Sequence, residues 1–255
     1  MRQTNSVRNE TLISNLTSSN KTLNHQNIEA LQVVSEIEEC IKSLEAQFNK
    51  IPWSNRECYA DFLAQSYYQT SHTPRLEALA ISRCSNNSNF FPLFVEGFQG
   101  EVGHESLALQ DLNSLGYSIE SFSELPATSS FYHSLYYFLN YENSLSILGY
   151  KLPLEGFACQ DSQKFFYEKM VGLYGESSTH FLKVHDSEDV SHYKQGLEML
   201  QMCESKDLIV ICKVCQQFSY AFGAMTEAIA KKHLNKRSAE SSLKAGTLIT
   251  LNQKL

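Results

Sequence analysis

Apolar residues recur at a spacing of three and four through most of the chain, the period of one buried face on an α-helix. The stretch "NIEALQVVSEIEECIKSLEAQF" opens this pattern and stops near Pro52. A second helix, "RECYADFLAQSYYQTSH", is expected to end before Pro74, because the residue preceding a proline disfavours the helical region. "PRLEALAISRC" then resumes, with proline accommodated in the first turn. After the polar "SNNSN" comes a short apolar segment, then a helix expected to begin near Gly100, with Gly116 as its C-cap. The apolar run from Thr128 to Gly175 is long, and Pro153 is expected to kink or break it. "STHFLKVHDSEDVSHYKQGLEMLQMC" starts with capping residues, and "DLIVICKVCQQFSYAFGAMTEAIAKKHL" closes the set. Strand signals are nearly absent, with little period-two alternation outside "TLITL". The pattern predicts an all-α bundle of about seven helices.

Residues 1–25 are rich in Asn, Ser and Thr and carry too few large apolar groups to offset the entropy of ordering, so they are expected to form a polar arm. The helical domain is expected over 26–234, with a tail at 235–255. A chain of 255 residues with 42% hydrophobic content can bury a sizeable core. The formal net charge of -7 opposes a nucleic-acid role, and the basic run from Lys231 to Arg237 reads as a solvated helix end. No uninterrupted apolar run approaches bilayer length, and the start lacks the apolar stretch of a secretory signal, so no membrane span is expected. Seven scattered cysteines suit reduced thiols and a cytoplasmic location.

Three segments carry the candidate chemistry. In "FLKVHDSEDVSHYKQGLEML", His185, Asp189 and His192 fall within about 60° of one another on a helix. A packed core histidine or a solvated face would explain any one of them alone. In "GEVGHE", Glu101 and His104 stand three apart, the spacing by which carboxylate-bridged di-iron bundles offer a carboxylate and an imidazole from one helix. In "ILGYKLPLEGFA", Glu155 sits among Leu154, Phe157 and Ala158, where it either turns to water at a kink or is neutralised by a cation. Glu96 competes with Glu101 for the first carboxylate position, and Glu188 shares a side with His185. His72 reads as a capping or core residue, and Cys212 with Cys215 as core packing, since a single pair makes a poor zinc site. Phe131, Tyr132, Tyr136, Tyr137 and Phe138 form an aromatic stripe that could line a cavity or simply fill the core.

With "YYQTSHTPRLEALAISR", "EVGH", "LGYKLPLEG" and "FLKVHDSEDVSHYKQGL", the chain resembles the haem-oxygenase-like di-metal oxidases over roughly residues 55–230. These are seven-helix bundles without haem that include alkene-forming fatty-acid decarboxylases, amino-acid fragmenting lyases, N-oxygenases and a chlamydial protein of aminobenzoate synthesis. The resemblance implies a six-residue metal-binding set of Glu101, His104, Glu155, His185, Asp189 and His192, with Glu155 bridging two metals. It implies two iron ions, with manganese or a mixed pair as alternatives, and dioxygen and a small carboxylate- or amine-bearing substrate as partners. An external electron donor and a homodimer stay open. The alternatives are a metal-independent enzyme of the same fold, of thiamin-salvage or quinone-cofactor-synthesis type, and a helical interaction or effector protein.

Overall fold

The computed structural model describes the backbone of residues 25–252 and the side chains of 29–185 and 190–234. Among these, ten α-helices and two short 3-10 turns occur, with no strand. They are α1 (His25–Phe48), α2 (Arg56–Thr70), α3 (Thr73–Arg83), α4 (Phe91–Glu101), α5 (His104–Ser114), α6 (Pro126–Tyr141), α7 (Ser146–Ala158), α8 (Asp161–Tyr174), α9 (His180–Leu200) and α10 (Ser205–Asn252). The expected arm lies outside the described residues except for residue 25, as do the side chains of the expected tail at 235–255.

Local chemistry explains most of the boundaries. Asn55 caps α2, its side-chain oxygen accepting from the N–H groups of Glu57 at 3.0 Å and Cys58 at 3.3 Å. Pro74, Pro92 and Pro126 each stand in the first turn of a helix, where the missing N–H costs nothing. Gly116 follows α5 with a φ of 82°, the left-handed conformation that ends a helix. Of the kink or break expected at Pro153, the break does not occur. The proline lies inside α7, and the interruptions fall instead at residues 142–145 and 159–160.

Helix α7 runs through the middle of the bundle, packed by α1, α9 and α10. Its glycines make this possible: a Cβ at Gly149 would collide with the Ile211 carbonyl oxygen, and one at Gly156 with Ile41 and Tyr193. The two positions therefore let three helices approach the backbone that carries Glu155. At one end of the core, Phe48 meets Trp53, Phe166, Phe157 and Phe62 with ring centroids 4.4, 4.7, 5.2 and 5.6 Å away, mostly edge to face. The segment Ser205–Leu234 is long and apolar enough by composition to cross a bilayer, with a mean hydropathy of 1.3, and half of that apolar window is buried inside the bundle.

Candidate metal centre

Helix α4 ends at Glu101, and α5 begins at His104. Between them Val102 is extended and Gly103 adopts a φ of 98°, which a residue with a side chain rarely takes. Glu101 and His104 are thus not three apart on one helix, as their spacing suggests, but at the facing ends of two. They still meet, with His104 Nδ1 3.6 Å from Glu101 Oε2.

The next link runs through the same helix. Asp111, fully buried on α5, accepts from the backbone N–H groups of His180 at 3.1 Å and Phe181 at 2.8 Å, and sits 3.2 Å from His180 Nδ1. It thereby closes the open N-terminus of α9, the helix that carries His185, Asp189 and His192. Burial raises the Asp111 carboxyl above its ordinary range despite these bonds. His185 Nδ1 lies 2.7 Å from the Phe181 carbonyl oxygen. A carbonyl can only accept, so Nδ1 carries the proton and the lone pair is on Nε2. The His185 ring stands edge-on to His104, with centroids 5.4 Å apart.

Glu155 descends from α7, almost wholly buried. Glu101, Glu155 and His192 each present one donor atom, and these three atoms lie within 4.8 Å of one another. The structure therefore gathers two carboxylates and one imidazole from α4, α7 and α9, with His104 beside Glu101 and His185 beside His104. The Asp189 side chain lies outside the described residues, as does that of Glu188.

Two charged groups absent from the sequence reading complete the surroundings. Lys151, one turn before Glu155 on α7, places Nζ 2.8 Å from Glu77 Oε1, 3.5 Å from Glu155 Oε1 and 3.8 Å from Glu101 Oε1. Glu77 is buried on α3 and hydrogen-bonded by Lys151, so these two form a neutral pair at the edge of the cluster. Gly97 on α4 leaves room for them, since a Cβ there would come within 3.3 Å of Lys151 Nζ. Burial opposes the charge on Lys151, but Glu77, Glu155 and Glu101 outweigh it and hold the ammonium firmly protonated. Burial also opposes the charge on Glu101. The neighbouring His104 and Lys151 reverse that effect and hold Glu101 down at about 2. Glu155 is pushed up to about 7 by burial first; Lys151 opposes this, and the negative charges of Glu101 and Glu77 add to it. Its Oε1 accepts no hydrogen bond of ordinary length and is met by the Lys151 ammonium at 3.5 Å.

Two cavities flank the cluster. A mixed one of about 40 Å³ has Glu77, Lys151, Glu155 and His192 among apolar residues such as Phe94 and Met199, with the exposed Glu96 at its edge accepting from Gln195 at 3.0 Å. An apolar one of about 130 Å³ reaches His185 from the other side. The aromatic stripe does not line it. Phe131 and Tyr132 are buried in the core, and Tyr137 is 56% exposed. Tyr132 instead stacks on His72 with centroids 3.6 Å apart, and the Tyr136 hydroxyl lies 3.1 Å from His72 Nδ1. Cys212 and Cys215 are free thiols, and among the described residues no metal-holding group forms around them.

The donors that meet are all nitrogen and oxygen, a set suited to iron or manganese rather than to structural zinc. No protein-family model and no curated protein matches the chain. Solved structures do. A domain of unknown function with a heme oxygenase-like fold from Shewanella denitrificans superposes with a TM-score of 0.66 at 20% identity, covering 80% of this chain and 95% of its own. A TenA homologue from Pseudomonas syringae pv. tomato gives 0.67 at 10% identity, covering 83% and 97%. Another, from Pyrococcus furiosus, gives 0.50 at 17% identity, covering 76% and 98%. At these identities the likeness speaks for the fold, and the chain is an all-α bundle of the haem-oxygenase-like kind.

Proposed function

We propose that the protein is a non-haem di-iron oxidase that activates dioxygen to oxidise a small carboxylate- or amine-bearing substrate. The observation that carries this reading is the convergence of Glu101, Glu155 and His192 within 4.8 Å, in a buried setting with His104 and His185 alongside. These five residues and Asp189 would hold the metals, with manganese as the alternative ion. When bound, two ferrous ions supply the electrons that reduce dioxygen. The chain's own side chains do the rest. His185 is held by the Phe181 carbonyl in the tautomer a metal needs. Glu77, the carboxylate nearest to Lys151, takes up much of its charge, and the metals would supply the rest of what Glu101 and Glu155 need. Two divalent ions against Glu101, Glu155 and Asp189 leave about one positive charge by formal count, which favours an anionic group on the substrate. The largely apolar cavity would seat an apolar part of the substrate beside His185.

A second reading is supported by Lys151, which already provides the acidic cluster with a cation: a metal-independent enzyme sharing its fold with the TenA homologues. Iron analysis separates the two. Protein from iron-supplemented cells should carry close to two irons per chain, and the ferrous form should consume oxygen on exposure to air. Glu155→Ala should lose most of the iron. Iron contents near zero in folded wild-type protein would favour the metal-independent reading.

A further inference from the structure

The apolar cavity beside His185 is small and uncharged. Phe62 on α2, Phe157 on α7, Phe181 on α9 and Phe222 on α10 form much of its wall, and its volume of about 130 Å³ is close to the roughly 150 Å³ of an apolar cavity that accepts benzene. No Lys, Arg, Asp or Glu lines it. A carboxylate or ammonium group placed there would be stripped of water with no countercharge, at a cost of several kcal/mol. The cavity therefore does not hold the charged end of a substrate.

Its polar lining is Ser66, Gln69 and Thr70 on α2, Gln163 on α8 and His185 on α9. Ser66 and Gln69 both line the cavity and are 5% and 6% exposed. Gln69 Nε2 donates to the Tyr150 hydroxyl at 3.0 Å, which leaves Gln69 Oε1 as the accepting end of that amide at the cavity wall. An amide oxygen at an otherwise largely apolar wall is the acceptor that a donor on a bound molecule would meet. We propose that this cavity seats the body of the substrate: a six-membered ring or similarly compact group bearing one hydroxyl or amide, which donates to Gln69 Oε1. Any charged end and the reacting atoms lie toward His185. The direction of the reacting end rests on the metal-centre reading; the occupant of the cavity does not.

The test uses the full-length chain, metal-free and zinc-loaded, with phenol, benzene, benzoate and decanoate as probes in ligand-observed NMR and calorimetry. Phenol should bind both forms roughly three- to tenfold more tightly than benzene, the worth of one hydrogen bond. Benzoate and decanoate should bind the metal-free form more weakly than phenol. Gln69→Leu should erase the preference for phenol over benzene, and Ala158→Phe, which fills the space, should abolish binding of both. Circular dichroism checks that each variant folds, and magnetisation transfer from phenol to the Met225 methyl group in the wild type locates the site without any variant. Failure of phenol to bind folded wild-type protein, tighter binding of decanoate or benzoate to the metal-free form, or phenol binding unchanged in folded Gln69→Leu and Ala158→Phe would overturn the proposal. Metal content of the same samples keeps the two readings apart. Phenol binding without metal uptake sinks the oxidase and leaves the cavity assignment, whereas metal uptake without phenol binding does the reverse.

Discussion

Glu155 is a buried carboxylate whose titration the fold shifts strongly. Its carboxyl is raised from 4.5 to about 7 in the folded protein, so folding favours its protonated form. The associated stability is fully present below the unfolded value near 4.5 and is lost as pH rises through about 7, a swing on the order of 3 kcal/mol. Glu155→Gln should therefore make the metal-free protein more stable than wild type at pH 8 and about equal to it near pH 4, while lowering any stabilisation by added ferrous iron. Thermal melts at the two pH values, with and without metal, check both halves. Glu155 itself was legible because an acid in an apolar helix stands out. Its partners Lys151 and Glu77 were not. A lysine four residues before a glutamate reads as an exposed helical ion pair, and Glu77 in "RLEALA" sits where an amphipathic helix usually meets solvent. Only the packing of α3, α4 and α7 turns that ordinary pattern into a buried cluster.

At the level of the helices, the centre depends on how α5 and α9 are joined. Asp111 from α5 satisfies the first N–H groups of α9, and both helices carry candidate ligands. Asp111→Ala would leave those buried donors unpaired. It should destabilise the protein by about 2–4 kcal/mol in denaturant unfolding, with weaker metal binding because the first turns of α9 bear His185. The conservative Asp111→Asn, which keeps one accepting oxygen, should recover part of both. Nothing in the sequence marks Asp111: an aspartate in mid-helix, 69 residues from its partner, has no local signature. The 3.6-residue period predicted the helices themselves well. It allowed a break at Pro153 that does not occur, because α7 is clamped on several sides by tertiary packing, which tolerates the lost hydrogen bond. It also joined Glu101 to His104 because a glycine within a periodic stretch gives no warning of a left-handed turn.

Across the whole molecule, a second buried network ties α2 to α6 and α10. Asp61 on α2 accepts from His233 Nε2 at 2.9 Å, Lys232 Nζ at 2.8 Å and Gln65 Nε2 at 3.0 Å, while Gln65 Oε1 accepts from Thr128 on α6 at 2.7 Å. Burial alone would raise the Asp61 carboxyl, but the His233, Lys232 and Gln65 bonds outweigh it and hold it below its usual value. Its contribution is present above the unfolded value near 3.9 and lost as pH falls through the lower folded one. The difference in melting temperature between wild type and Asp61→Asn should accordingly be largest near neutrality and shrink toward pH 2. The joint at Val102 and Gly103 reaches beyond this molecule. Because no helical repeat fixes the distance from Glu101 to His104, a related chain could gain or drop residues in that loop and still bring the same two donors face to face. Kinship between such chains would then be written in the meeting of helix ends, and a search for a fixed four-residue signature would pass over it.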